Sequence, residues 1–334
     1  KEPQSLAGDL SFRLKTGKSG LLKFYSTINR SKLTTIEENL NQPGTTVTYN
    51  LLNDNYFINT SWIGEIQKDW IQSTGFSYTN NMDRVSIDSM KLTEALQGTH
   101  TKLSLKHRIS DRIKILAGTE WYYKSYGMLF PGAETNNQIS YVNNTLTGFM
   151  ESELYASSRF ITRVGLRFEY SEYLKRSSLA PRISTAYKLG QTGQVSMAYG
   201  WFFQDPDDEF LLHTPELEFE RADHITLNYL YNKDQRMLRT ELYFKNYKNL
   251  VKYAWSGEQD YSFINNTGDG YAYGLDLFWR DKKSIKNGEY WISYSYIESL
   301  RNYLDYPEHA IPNFSSKHNL SLVYKHWIEG LRSM

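Results

Sequence analysis

The chain has 334 residues, 38 basic and 37 acidic side chains, a formal net charge of +1 and no cysteine. That balance leaves no cationic footprint for nucleic acid, and the missing thiols exclude disulfides, thiolate zinc sites and cysteine nucleophiles. Aromatic residues reach 15%, with 27 Tyr, at a mean hydropathy of −0.59, a combination that suits the ring girdles of a membrane barrel better than a soluble core.

No run approaches the ~20 apolar residues of a membrane-spanning helix, and Lys1-Glu2-Pro3-Gln4 carries no leader pattern. Alternation begins instead at Leu10, Phe12 and Leu14 and breaks at the tight turn Thr16-Gly17-Lys18-Ser19-Gly20. This turn ends like a phosphate-binding loop, but Phe12 stands where that motif needs its first glycine, so it reads as a hairpin. Further copies run through Ile58, Thr60, Trp62 and Ile66, then Leu103 and Leu105, then Ile113, Ile115 and Trp121. The clearest copy is Arg163 to Tyr170, where Val164, Leu166, Phe168 and Tyr170 share one face and Arg163, Arg167 and Glu169 the other. Next come Val195, Met197, Tyr199 and Trp201, and then Ile225, Leu227 and Tyr229. Leu238, Leu242 and Phe244 oppose Arg239, Glu241 and Lys245, while Tyr271, Tyr273, Leu275, Leu277 and Trp279 oppose Gly274, Asp276 and Arg280. Ile292, Tyr294 and Tyr296, followed by Leu320, Leu322 and Tyr324, close the series.

About fifteen strands of roughly ten residues result, about twice the usual strand length. Tight turns at 16–20, 110–112, 157–158, 190–193, 232–235 and 282–288 alternate with long polar links at 33–55, 126–145, 202–221, 249–269 and 302–317. Short turns on one rim and long loops on the other predict an all-β, antiparallel up-and-down transmembrane barrel with its long loops outside the cell. A soluble sandwich, propeller or lectin-like fold shares the alternation, but strand length and rings at strand ends favour the barrel. The charged faces at Arg163, Arg167, Glu169, Arg239, Glu241, Asp276 and Arg280 then line the lumen, because charge is costly against lipid.

Catalytic chemistry has little to stand on. The seven histidines fall at no metal-ligand spacing and no Gly-x-Ser-x-Gly elbow occurs. Glu151 and Glu153 share a face, yet no nucleophile and base accompany them. The chain is expected to be no enzyme and to need no cofactor or metal.

Several segments resemble a known family. GWFFQDPDDEFLLHTPELEFERADHITLNYLY (Gly200 to Tyr231), LYFKNYKNLVKY (Leu242 to Tyr253), INNTGDGYAYGLDLFW (Ile264 to Trp279), YWISYSYIESL (Tyr290 to Leu300) and IPNFSSKHNLSLVY (Ile311 to Tyr324) are similar to the barrel of TonB-dependent receptors of the Bacteroidetes type. The resemblance implies part of a 22-strand outer-membrane barrel that binds a scarce nutrient at its outer loops and imports it with energy from TonB. Siderophore, cobalamin, glycan and peptide remain equal candidates for the ligand, and a surface lipoprotein is a possible partner. Neither the plug domain nor the TonB box is recognisable, and Gly330 to Met334 reads as the opening of another strand. A single-domain fragment without plug, first strands and closing strands is therefore expected. Ligand capture would fall to Trp201, Phe202, Phe203, Gln204, Asp205, Pro206, Asp207, Asp208 and Glu209, where rings able to stack on a planar or sugar ligand adjoin four carboxylates. Those carboxylates could also hold calcium, although an acidic loop is more often only solvated. A second aromatic loop carries Tyr303, Asp305, Tyr306, Pro307, Glu308 and His309. A passive porin, or a secretion-associated or structural barrel, is the alternative.

Overall fold

The computed structural model describes residues 3–39, 42–131, 137–254 and 263–330. The strands are β1 (Gln4–Thr16), β2 (Gly20–Glu38), β3 (Thr46–Gln67), β4 (Trp70–Ile87), β5 (Met90–Ser110), β6 (Ile113–Phe130), β7 (Asn137–Tyr155) and β8 (Phe160–Ser171). They continue as β9 (Arg176–Leu189), β10 (Gly193–Gln204), β11 (Glu220–Lys233), β12 (Arg236–Lys252), β13 (Asn265–Asp281), β14 (Gly288–Asn302) and β15 (His318–His326), with one four-residue helix, α1 (Asp208–Leu211), between β10 and β11. All fifteen strands form one sheet in sequence order, each antiparallel to the next.

Register fixes the two faces. Leu146 in β7 stands opposite Tyr170 in β8, and Met150 opposite Leu166; all four are exposed, as are Val164 and Phe168. Thr147, Glu151 and Glu153 share the other face with Glu169, Gly165 and Arg163. The parity carries across the sheet, so that Leu242 meets Leu275 and Phe244 meets Tyr273 on the apolar side. Exposed rings and aliphatic chains on one continuous face are what a lipid-covered wall requires.

Three features depart from the sequence reading. The links expected at 33–55 and 126–145 are largely strand, because β2 and β3 run to Glu38 and from Thr46, and β6 and β7 to Phe130 and from Asn137. Where a strand rises beyond lipid both faces are wet, so alternation disappears while the hydrogen-bond ladder continues. The long-loop rim also includes tight turns, at Asp88-Ser89 and at 172–175, with Asp88 and Lys175 in the left-handed region at φ 50° and 53°. Finally, Trp201 to Gln204 belong to β10 and not to a loop. Parts of the loops at 126–145 and 249–269, and the tail 331–334, lie outside the described residues.

The sheet curls around the loop between β10 and β11. Phe210 and Leu211 of α1, with Leu217 and Phe219, are buried in one cluster with Tyr126 of β6, Tyr141 of β7 and Val251 of β12. Strands β7 and β12 lie five steps apart, about 24 Å on a flat sheet, which a single helical turn spans only if the wall is concave.

Candidate ligand-binding site

The polar face carries a charged network at mid-strand. Glu120, only 4% exposed, receives Lys102 Nζ at 2.6 Å and Arg167 Nη1 at 3.1 Å, and Tyr122 donates to it at 2.7 Å. Arg167 also pairs with Glu169 at 3.0 Å. Two rows nearer the short-turn rim, Arg163 joins Glu151 at 3.1 Å and Glu153 at 2.9 Å, so these two carboxylates serve an arginine and not a catalytic pair. Arg280 pairs with Glu289 at 3.0 Å. Among the described residues Arg239, Glu241 and Asp276 have no ion pair, and Glu241 stands directly opposite Asp276 in the register. Every one of the seven positions shares the polar face, as alternation required. Their partners Lys102, Glu120 and Tyr122 were missed, although Lys114, Glu120, Tyr122 and Lys124 fall on alternate positions of one strand and could have revealed that face.

The loop above this network is folded inward and tied down. Asp208 accepts hydrogen bonds from Lys124 Nζ and from Tyr141 OH, the latter at 2.6 Å. Tyr173 OH donates to the Leu211 carbonyl at 2.6 Å. Asn143 Nδ2 donates to Asp205 Oδ2 at 3.3 Å, while Oδ1 of Asp205 is buried without a hydrogen-bond partner among the described residues. Burial pushes the Asp205 carboxyl above the usual carboxylate range, with Glu169 and Asp208 adding to the shift and Lys124 opposing it. The Thr-Pro-Glu-Leu-Glu-Phe-Glu-Arg segment re-enters the sheet by burying Leu217 and Phe219. Its Glu220 accepts from Val251 N at 3.0 Å and from Gln204 Nε2 at 2.7 Å.

The four carboxylates are thereby dispersed. Asp205 faces a cavity of about 450 Å³ beside His100 and Tyr122, Asp207 faces a second of about 400 Å³, Asp208 is held by the wall, and Glu209 is exposed on α1. No group of three potential metal ligands exists among the described residues, which leaves the calcium reading without a coordination set.

The second cavity unites the two loops singled out in the sequence. Phe202, Phe203, Gln204 and Asp207 line it from one side and Tyr303 from the other. Trp201 does not reach it; its ring lies under Arg221 at 3.8 Å and its Nε1 donates to Tyr199 OH at 2.8 Å. Tyr306 packs edge-on against Tyr303 at 5.1 Å, and its carbonyl accepts Lys252 Nζ at 2.9 Å. His309 sits apart, 3.3 Å from Asp269. Glu220, His224, Lys245, Tyr247 and Arg301 are among the other residues that line it; none was singled out as a ligand contact, because register and not sequence spacing brings them there.

A family described as "TonB dependent receptor-like, beta-barrel" matches residues 5–332. The chain belongs to this family. Its members are outer-membrane transporters and not enzymes. The ferric yersiniabactin uptake receptor FyuA from Yersinia pestis superposes with a TM-score of 0.76 at 12% identity, over 98% of this chain and 57% of that one. The FrpB iron transporter from Neisseria meningitidis gives 0.77 at 9%, over 98% and 57%. The RagAB peptide transporter gives 0.66 at 10%, over 90% and 46%. This TonB-dependent receptor barrel therefore spans about half the length of such structures, and at these identities the likeness is one of fold. No curated protein matches the sequence.

Proposed function

We propose that this chain is part of the wall of an outer-membrane receptor that binds a scarce nutrient outside the cell and imports it with energy relayed by TonB through a plug domain. The observation that carries the reading is the meeting of the β10–β11 and β14–β15 connections at one aromatic cavity on the concave face, bounded by Phe202, Tyr247 and Tyr303. Rings facing a cleft give a receptor its contact area, and the ion-paired wall beneath gives a hydrated passage. A surface lipoprotein is the companion this reading allows, checked by co-purification.

The test is conductance and coupling of the protein as its gene encodes it. In a planar bilayer the purified protein should hold the current closed, and in cells its cargo uptake should stop when TonB is deleted or the proton gradient collapsed. A steady open conductance with uptake indifferent to TonB would establish a passive pore instead.

A further inference from the structure

One register row of the polar face concentrates basic side chains without neutralising them. Arg182 in β9 stands opposite Gly200 in β10, Gly200 opposite His224 in β11, and His224 opposite Lys245 in β12. Neighbouring strands are ~4.8 Å apart, so these three side chains fall within about 15 Å of one another. Elsewhere on the polar face, Lys102, Arg163, Arg167 and Arg280 each have a carboxylate at 3.1 Å or less. Arg182 and Lys245 have none within 4.0 Å among the described residues, nor does Arg301 farther toward the long-loop rim.

Ring surface and open floor lie beside the row; Asp207 and Glu220 line the cavity above it and Glu151 the one below, with Glu220 already taken by Val251 N and Gln204 and Glu151 by Arg163. Phe202 lies 4.5 Å from the Arg182 guanidinium and 4.6 Å from the His224 ring. Tyr247 lies 4.3 Å from the Arg301 guanidinium, whose Nε is buried with no hydrogen-bond partner among the described residues. Gly200 leaves the row's second position bare, since a Cβ there would sit 3.0 Å from Arg182 Cγ. Phe202 and His224 are shared by the 400 Å³ cavity above and a 260 Å³ cavity below that Arg182 lines, so the row bridges the two.

We propose that the row Arg182–Gly200–His224–Lys245, roofed by Phe202, is a binding subsite for a ring-bearing organic polycarboxylate. Concave walls concentrate the field of like charges, the cations draw in carboxylates, and the phenyl face stacks on the ligand ring. This deepens the receptor reading and rests on it for the ligand's route, but the binding itself needs neither TonB nor a gradient.

The probe is benzene-1,3,5-tricarboxylate, titrated calorimetrically into the detergent-solubilised protein, with neutral 1,3,5-tris(hydroxymethyl)benzene as the control. The tricarboxylate should bind at least tenfold more tightly than the triol, and the difference should shrink as salt is raised. Arg182→Gln and Lys245→Met should each weaken tricarboxylate binding at least fivefold without changing the triol, while Arg182→Lys keeps most of it. Unchanged heat-dependent gel mobility of each variant certifies the barrel. No tricarboxylate binding, equal binding of both probes, or indifference to both charge removals overturns the proposal. Such a failure leaves TonB-coupled import of an uncharged or cationic nutrient intact, whereas an open conductance sinks import and leaves the anion site standing.

Discussion

Leu166 and Arg167 are adjacent residues with opposite solvents. Leu166 is 47% exposed on the apolar face, whereas Arg167 turns to Glu120 and Glu169. This parity is legible in the sequence because Arg-Val-Gly-Leu-Arg-Phe-Glu-Tyr alternates without a break. The pairing is not legible, since Glu120 lies 47 residues from Arg167 and only the register of β6, β7 and β8 joins them. Leu166→Arg is expected to cost ~2–4 kcal/mol of barrel stability, the penalty for a cation near the middle of the lipid face. Arg163→Gln should cost under about 1 kcal/mol, because Arg163 is half-exposed and its ion pairs are screened. Arg167→Glu is expected to be far more harmful than Arg163→Gln, as it sets a third carboxylate against Glu120 and Glu169. Urea unfolding from lipid vesicles checks all three, and equal costs for Leu166→Arg and Arg163→Gln would refute the assignment of faces.

The β10–β11 connection shows why a loop's acidity is a poor guide to its exposure. Asp205, Asp207, Asp208 and Glu209 gave it the look of a solvated strip, but the following Phe210-Leu211 pair is buried, and that apolar run was the available signal. The family-like Pro-Glu-Leu segment has an equally plain physical role, as Leu217 and Phe219 fasten the returning chain. Docking of α1 rests on the bonds Asp208 makes to Lys124 and Tyr141, so Asp208→Ala should raise amide hydrogen exchange across 208–212 at least tenfold and leave β6 and β7 protected. Asp205 works in the opposite sense. Its carboxyl is raised above the ordinary value by burial, so its contribution to docking is fully present below the unfolded pKa and lost as pH rises through the folded one. Asp205→Asn is therefore expected to increase protection of 208–212 at neutral pH and to flatten the pH dependence above the unfolded value. Unaltered exchange in Asp205→Asn would mean that the buried carboxylate costs the loop nothing.

At the scale of the molecule the remaining question is where lipid ends, and the outward face answers it. From Phe160 to Tyr170 the outward positions of β8 are mostly apolar, and ten residue steps of ~3.3 Å tilted by ~40° rise about 25 Å, the height of a hydrocarbon band. On β2, β3 and β4 the same face turns charged at Arg30, Asp54 and Arg84, where Asp54 takes Arg84 Nη1 at 2.6 Å and Arg30 Nε at 3.4 Å. On β11 and β12 it does so at Arg221, Asp223 and Lys248, joined at 2.6 Å and 3.1 Å. Strand number, order and alternation of faces were readable from composition and period. The stems beyond this charged collar were not, because wet strands and wet loops share one polarity, and only the ladder to Glu38 and from Thr46 tells them apart. Ile36 stands six residues past Arg30 on the outward parity of β2 and is 59% exposed, so exposure alone would class it with Leu166. Its height places it in water, and Ile36→Arg should cost under about 1 kcal/mol, in line with a residue outside the hydrocarbon band, against the ~2–4 kcal/mol at Leu166. Measured side by side in vesicles, two equally large penalties would move the lipid boundary above Ile36 and take the collar of Arg30, Asp54 and Arg84 into the bilayer, where its charges could not be tolerated.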